Sequence, residues 1–65
     1  MITVNGRAVD QADGLSLTSY LTQEGYTLTR VAVECNGEII PKIKYDQKFL
    51  ADGDVLEVVH FVGGG

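Results

Sequence analysis

The chain has one cysteine, one histidine, one proline and no tryptophan in 65 residues. A lone cysteine cannot close an internal disulfide, and one Cys with one His cannot supply the four ligands of a structural zinc site. Covalent and metal stapling within the chain are both excluded. Positive charge is also scarce: five Lys and Arg stand against nine Asp and Glu, a net charge of -4. That sign is wrong for holding a phosphate backbone through counterion release, so nucleic acid is not expected as a partner. No apolar run approaches the roughly 20 residues of a membrane span. Met1-Ile2-Thr3-Val4 starts a strand-like alternation and not the basic-then-apolar pattern of a secretory leader, and a cytoplasmic location is expected. A core this small rarely supplies more than roughly 3–5 kcal/mol net, which leaves little material for an elaborate catalytic cleft. A self-sufficient enzyme is therefore not expected. A composition 45% hydrophobic and 22% charged predicts one ordinary globular domain, monomeric when free.

What is present is a dense pattern of short strands and tight turns. Ile2 and Val4 alternate with polar neighbours and lead into Asn5-Gly6, a pair suited to the positive φ angles of a type I′ hairpin. Arg7 to Asp10 returns as the second strand. Ser16 offers a helix N-cap, Leu15 and Tyr20 can form a hydrophobic staple around it, and Leu17, Tyr20 and Leu21 share one helical face. Gly25 suits the left-handed position that closes a helix, which gives about two turns. From Arg30 the period returns to two, with Val31, Val33 and Cys35 on one face and Ala32 and Glu34 on the other. Asn36-Gly37 predicts a second hairpin, and Glu38-Ile39-Ile40 pairs back until Pro41, which lacks an N–H to donate. Lys42 to Leu50 is irregular and reads as a short helical turn packed by its aromatics, Tyr45 and Phe49. Asp52-Gly53-Asp54 marks a turn, and Val55 to Val62 is expected to be the last and best-buried strand. This order is an α+β layout. With the terminal strands central and parallel, it fits a β-grasp: a mixed sheet with one main helix packed across it.

The chain ends on Gly63-Gly64-Gly65, which folding does not require. Glycine loses the most conformational freedom on ordering and has no side chain to pack, so residues 63–65 are expected to form a flexible tail after a domain of residues 1–62. Fully extended, such a thread carries the carboxylate about 10 Å beyond the folded body and can enter a narrow tunnel that any Cβ would obstruct. The α-carboxylate of Gly65 becomes the candidate reactive group.

Several stretches together resemble the ThiS family of sulfur carrier proteins of thiamine biosynthesis, within the ubiquitin-like β-grasp proteins. They are Ile2-Thr3-Val4-Asn5-Gly6, Val33-Glu34-Cys35-Asn36-Gly37-Glu38-Ile39-Ile40-Pro41-Lys42, Asp52-Gly53-Asp54, and Glu57-Val58-Val59-His60-Phe61-Val62-Gly63-Gly64-Gly65. Tyr45 stands where that family often has tryptophan, and Lys42 to Lys48 is more basic than its usual pattern. The resemblance implies that an adenylating enzyme resembling ThiF uses ATP to convert the Gly65 carboxylate to an acyl-adenylate. A carboxylate is otherwise a poor acyl donor, because its leaving group would be oxide or hydroxide. Sulfur from a persulfide donor protein then makes a thiocarboxylate that delivers sulfur to a thiazole synthase. Gly63 and Gly64 would serve as the slim thread entering these active sites. The chain itself would bind no cofactor and perform no catalysis.

The last strand suggests where partners dock. If Leu56 and Val58 face the core, alternation places Glu57, Val59 and Phe61 on the opposite face, beside Val62 and the tail, and an exposed apolar pair there marks an interface. Cys35 reads as a core residue, His60 as a packing or surface residue, and Lys42, Lys44 and Lys48 as a solvated face. Other readings share the terminal chemistry. A carrier for another pathway, such as the small subunit of molybdopterin synthase, or a ubiquitin-like modifier would differ only in the acceptor.

Overall fold

The amide groups of short strands need partners from distant parts of the chain, and a single sheet supplies them. The computed structural model describes residues 1–61, and its strands are β1 (Ile2–Val4), β2 (Arg7–Val9), β3 (Val31–Cys35), β4 (Glu38–Ile40) and β5 (Val55–His60). They form one mixed five-stranded sheet in the order β2-β1-β5-β3-β4. β1 and β5 run parallel at its centre, with Thr3 opposite Val55 and Val4 opposite Leu56. The other contacts are antiparallel. Both Asn-Gly pairs turn as their chemistry demands: Asn5 and Gly6 lie at φ 51° and 82°, and Asn36 and Gly37 at 53° and 85°.

One helix, α1 (Leu17–Gln23), crosses one face of the sheet and buries Leu17, Tyr20 and Leu21. Ser16 is its N-cap, its hydroxyl oxygen accepting from the Ser19 N–H at 3.0 Å. Gly25 follows the last turn at φ 86°. The remaining free N–H groups of the first turn are satisfied by the irregular 45–50 segment: Leu17 donates to the Lys48 carbonyl at 2.7 Å and Thr18 to that of Tyr45 at 3.2 Å. The core beneath the helix combines Ile2 and Val4 of β1, Val31, Val33 and Cys35 of β3, and Leu56 and Val58 of β5, closed by Ala12, Tyr45 and Leu50. This arrangement is the β-grasp expected from the element order.

Several sequence expectations need correction. β5 is not the best-buried strand: only Leu56 and Val58 are buried along it, whereas β3 buries three of its five residues. A central strand with one face uncovered exposes half its side chains whatever their hydrophobicity. The 42–50 segment does contain a helical turn, Lys42–Lys44, but only Tyr45 of its aromatics packs inside. Phe49 is 58% exposed, and its neighbour Leu50 is the residue that fills the core there, at 2% exposure. A further short helical segment, Leu28–Arg30, connects α1 to β3 and carries no periodic signal of its own. Val62 and the 63–65 tail lie outside the described residues.

Candidate functional site

The site begins with β5, the strand that leads to the carboxyl terminus. It is held from both sides by backbone ladders and, additionally, by the two asparagines of the hairpin turns. β1 ends at Val4, so the parallel ladder alone would leave the next β5 amide without a partner. The Asn5 carboxamide fills that place. Its Oδ1 accepts from the Val58 N–H at 2.7 Å and its Nδ2 donates to the Val58 carbonyl at 3.1 Å. At the start of β5, the Asn36 Oδ1 accepts from the Val55 N–H at 2.9 Å and its Nδ2 donates to Asp54 at 3.0 Å. Desolvation pushes the Asp54 carboxyl up, but the Ala51 N–H, the Asn36 amide and the Lys48 charge outweigh it and hold the group below the usual carboxylate range.

The sheet face away from α1 carries the predicted surface. Val59 and Phe61 are 55% and 56% exposed. The Phe61 N–H donates to the Arg30 carbonyl at 2.7 Å, which extends the pairing with β3 one residue past β5 and keeps Phe61 in alternation with Val59 and Glu57. Of the other predicted site residues, Val62, Gly63, Gly64 and Gly65 lie outside the described residues.

Strand pairing brings residues of β3 and β4 onto the same face. Ala32 lies opposite Val59, and Glu34 lies opposite both Glu57 on β5 and Ile39 on β4. Ile39 is 77% exposed. Its place was recoverable: a two-residue hairpin pairs Cys35 with Glu38, so Ile39 must share the outward face of Glu34. Ala32, Val33, Glu34, Ile39, Glu57 and Val59 line a shallow depression of about 140 Å³.

The remaining candidates separate cleanly. Cys35 is buried. Burial pushes its thiol up, the Asp54 and Glu38 carboxylates add to this and Lys48 opposes it, so it is held as an unreactive thiol within the core. The His60 ring meets Tyr26 edge-on at 5.5 Å, a packing contact. Lys42 is not merely solvated: it donates to the Val31 carbonyl and lies 5.7 Å from the centre of the Tyr45 ring. Among the described residues no group of three or more His, Cys, Asp and Glu is placed to hold a metal ion, and no helix is long and apolar enough to cross a membrane.

The family model described as the ThiS family matches residues 2–65. The chain belongs to the ThiS family. A sulfur carrier protein ThiS of Bacillus subtilis is 41% identical over 66 residues and is matched along the whole of both chains. The crystal structure of a ThiS from Geobacter metallireducens superposes with a TM-score of 0.77 at 37% identity, covering 98% of this chain and 97% of that one. A thiazole synthase of Paramagnetospirillum magneticum is 39% identical over 64 residues; they are 98% of this chain but only 20% of that protein. This chain thus spans about a fifth of that relative's length, and in that protein a ThiS-like segment is joined to a larger body. The open face beside β5 is the described surface nearest in sequence to the Gly63-Gly64-Gly65 ending of this chain.

Proposed function

We propose that this chain is the sulfur carrier of thiazole formation in thiamine biosynthesis and that its Gly65 α-carboxylate carries the sulfur. The full-length likeness to the Bacillus subtilis carrier is the observation that supports this reading most strongly. In the proposed sequence the Gly65 carboxylate attacks the α-phosphorus of ATP in a ThiF-like enzyme, releasing pyrophosphate and forming an acyl-adenylate. The terminal sulfur of a persulfide donor protein then displaces AMP. A thiol reduces the resulting acyl disulfide and frees the thiocarboxylate. Its sulfur is anionic at neutral pH and more polarizable than oxygen, hence a competent nucleophile toward an intermediate held by a thiazole synthase.

In this reading the labour divides between the folded body and the terminal glycines. The folded body is a handle whose central strand is hydrogen-bonded on both sides, and Gly63, Gly64 and Gly65 are the thread that reaches into active sites. Val59, Phe61 and Val62 are the docking residues next to it. The carrier is a co-substrate and binds no cofactor, ATP being consumed by the adenylating enzyme. The joined architecture of the thiazole synthase relative supports the choice of that enzyme as acceptor. The ATP and persulfide that the process consumes suit a cytoplasmic location.

The test is mass spectrometry of the C-terminal peptide after incubation with ATP, the adenylating enzyme and a persulfide source. A thiocarboxylate confined to the Val62 to Gly65 end is the expected result. Replacement of one oxygen by sulfur is nearly equal in mass to oxidation of Met1 or Cys35, so the peptide assignment is essential. An unmodified terminus alongside demonstrably active partners refutes the proposal.

A further inference from the structure

Glu34 and Glu57 face each other across the β3–β5 ladder on the open face. Side chains in such a pair have Cβ atoms roughly 4.5–5.5 Å apart, and like charges placed so are destabilising. Neither has an ion-pair partner among the described residues, where the recorded pair joins Met1 and Asp52. Apolar side chains flank them on two sides, Ala32 and Val59 in the next rung of this face and exposed Ile39 across from Glu34, while Val55, paired with the polar Thr3 of β1, precedes Glu57 on the same face. Two exposed carboxylates without an ion-pair partner among the described residues thus stand at the edge of an apolar patch.

This combination restricts what can cover the face. A second copy stacked on it would bring four carboxylates together, so self-association is opposed. An apolar partner would bury the charges unpaired, at severe cost. A guanidinium satisfies both demands. It is planar, always charged and carries five N–H donors able to bridge two carboxylates, while its aliphatic stem can lie along Ile39 and Val59.

We infer that the Glu34/Glu57 pair, framed by Ile39, Ala32 and Val59, receives an arginine side chain of the adenylating enzyme that acts on the carboxyl terminus. The inference rests on the carrier reading above. An enzyme that binds the ATP polyanion beside a substrate carboxylate lines its site with cations, and the net charge of -4 on this chain complements such a surface. Glu57 also lies on the strand that leads to the terminus, within reach of an interface of ordinary size, about 800 Å² per partner.

The test measures association of the full chain with the adenylating enzyme at low and high salt, for wild type, Glu34→Gln, Glu57→Gln and the control Asp13→Asn. Asp13 is exposed and lies in the turn that leads into α1, the helix covering the opposite face of the sheet. Each glutamine variant on the face is expected to weaken binding about tenfold at low salt, mainly through slower association, with the loss shrinking as salt rises. Thermal stability of these variants should match or exceed wild type, because a repulsion is removed. Wild-type affinity in both variants, or a loss no larger than that of Asp13→Asn, overturns the inference while leaving the carrier reading intact. A wild-type chain that is never adenylated overturns both.

Discussion

Asn5 offers the sharpest test of how the central strand is held. Its carboxamide makes two hydrogen bonds to the Val58 backbone, 53 residues away, in a partly buried setting. A hydrogen bond contributes about 0.5–1.5 kcal/mol net, so losing both costs about 1–3 kcal/mol. Because Asn5 lies at φ 51°, alanine would add backbone strain to that loss. Asn5→Gly separates the two effects, since glycine accepts the angle and lacks only the amide. For a domain of this size the loss corresponds to a fall in melting temperature on the order of 10 °C. Asn5→Ala should lose a further 1–2 kcal/mol, roughly the cost of a left-handed residue with a Cβ. Asn36→Gly is the comparison: its bonds to Val55 and Asp54 are solvent-exposed, so water can replace them and the loss should be smaller. Urea and thermal unfolding followed by far-UV circular dichroism suit a chain without tryptophan. If Asn5→Gly lies within about 0.5 kcal/mol of wild type, or loses less than Asn36→Gly, the side-chain extension of the ladder contributes nothing and the reasoning fails.

Other outcomes follow from the same contacts. Tyr45→Ala should cost about 3–5 kcal/mol in urea unfolding, whereas Phe49→Ser should be nearly neutral, because the first ring is buried and the second exposed. Stability against pH should fall on both sides of a neutral plateau. Asp54 has a lowered folded value, so its contribution is present above its unfolded value near 4 and lost as pH falls through the folded one; Asp54→Asn should flatten this acid limb of the urea midpoint. Cys35, Tyr20 and Tyr45 are raised, burial being the leading cause in each, so their contribution is intact below about pH 8.5–10 and is lost as pH rises toward the folded values. Cys35 should react with a thiol-specific reagent at the rate of unfolding and not at that of an exposed thiol, as timed absorbance assays with and without urea will show. Deleting Gly65 or replacing Gly64 with a bulky residue should abolish thiocarboxylate formation by mass spectrometry while the melting temperature stays put, since the core is built from residues between Ile2 and Val58.

The local order of this protein is legible in its residues because each decision is short in range. Asn-Gly at two places dictates positive φ and hence two tight hairpins; a period of two sends Val31, Val33 and Cys35 inward and Glu34 outward; Leu17, Tyr20 and Leu21 form one helical stripe. The inward facing of Leu56 and Val58 against the outward facing of Val59 and Phe61 follows from the same alternation. Tertiary structure decided whatever depends on which distant segment arrives as neighbour. The turn asparagine at position 5 became a partner for Val58, the irregular 45–50 segment became the cap of the helix, and Phe49 was left outside while Tyr45 went in. The opposition of Glu34 and Glu57 is of this second kind, since neither residue has any periodic relation to the other along the chain. Periodicity reports only which way a side chain points from its own backbone; what it meets there is set by strand pairing, through hydrogen bonds that carry no local signature.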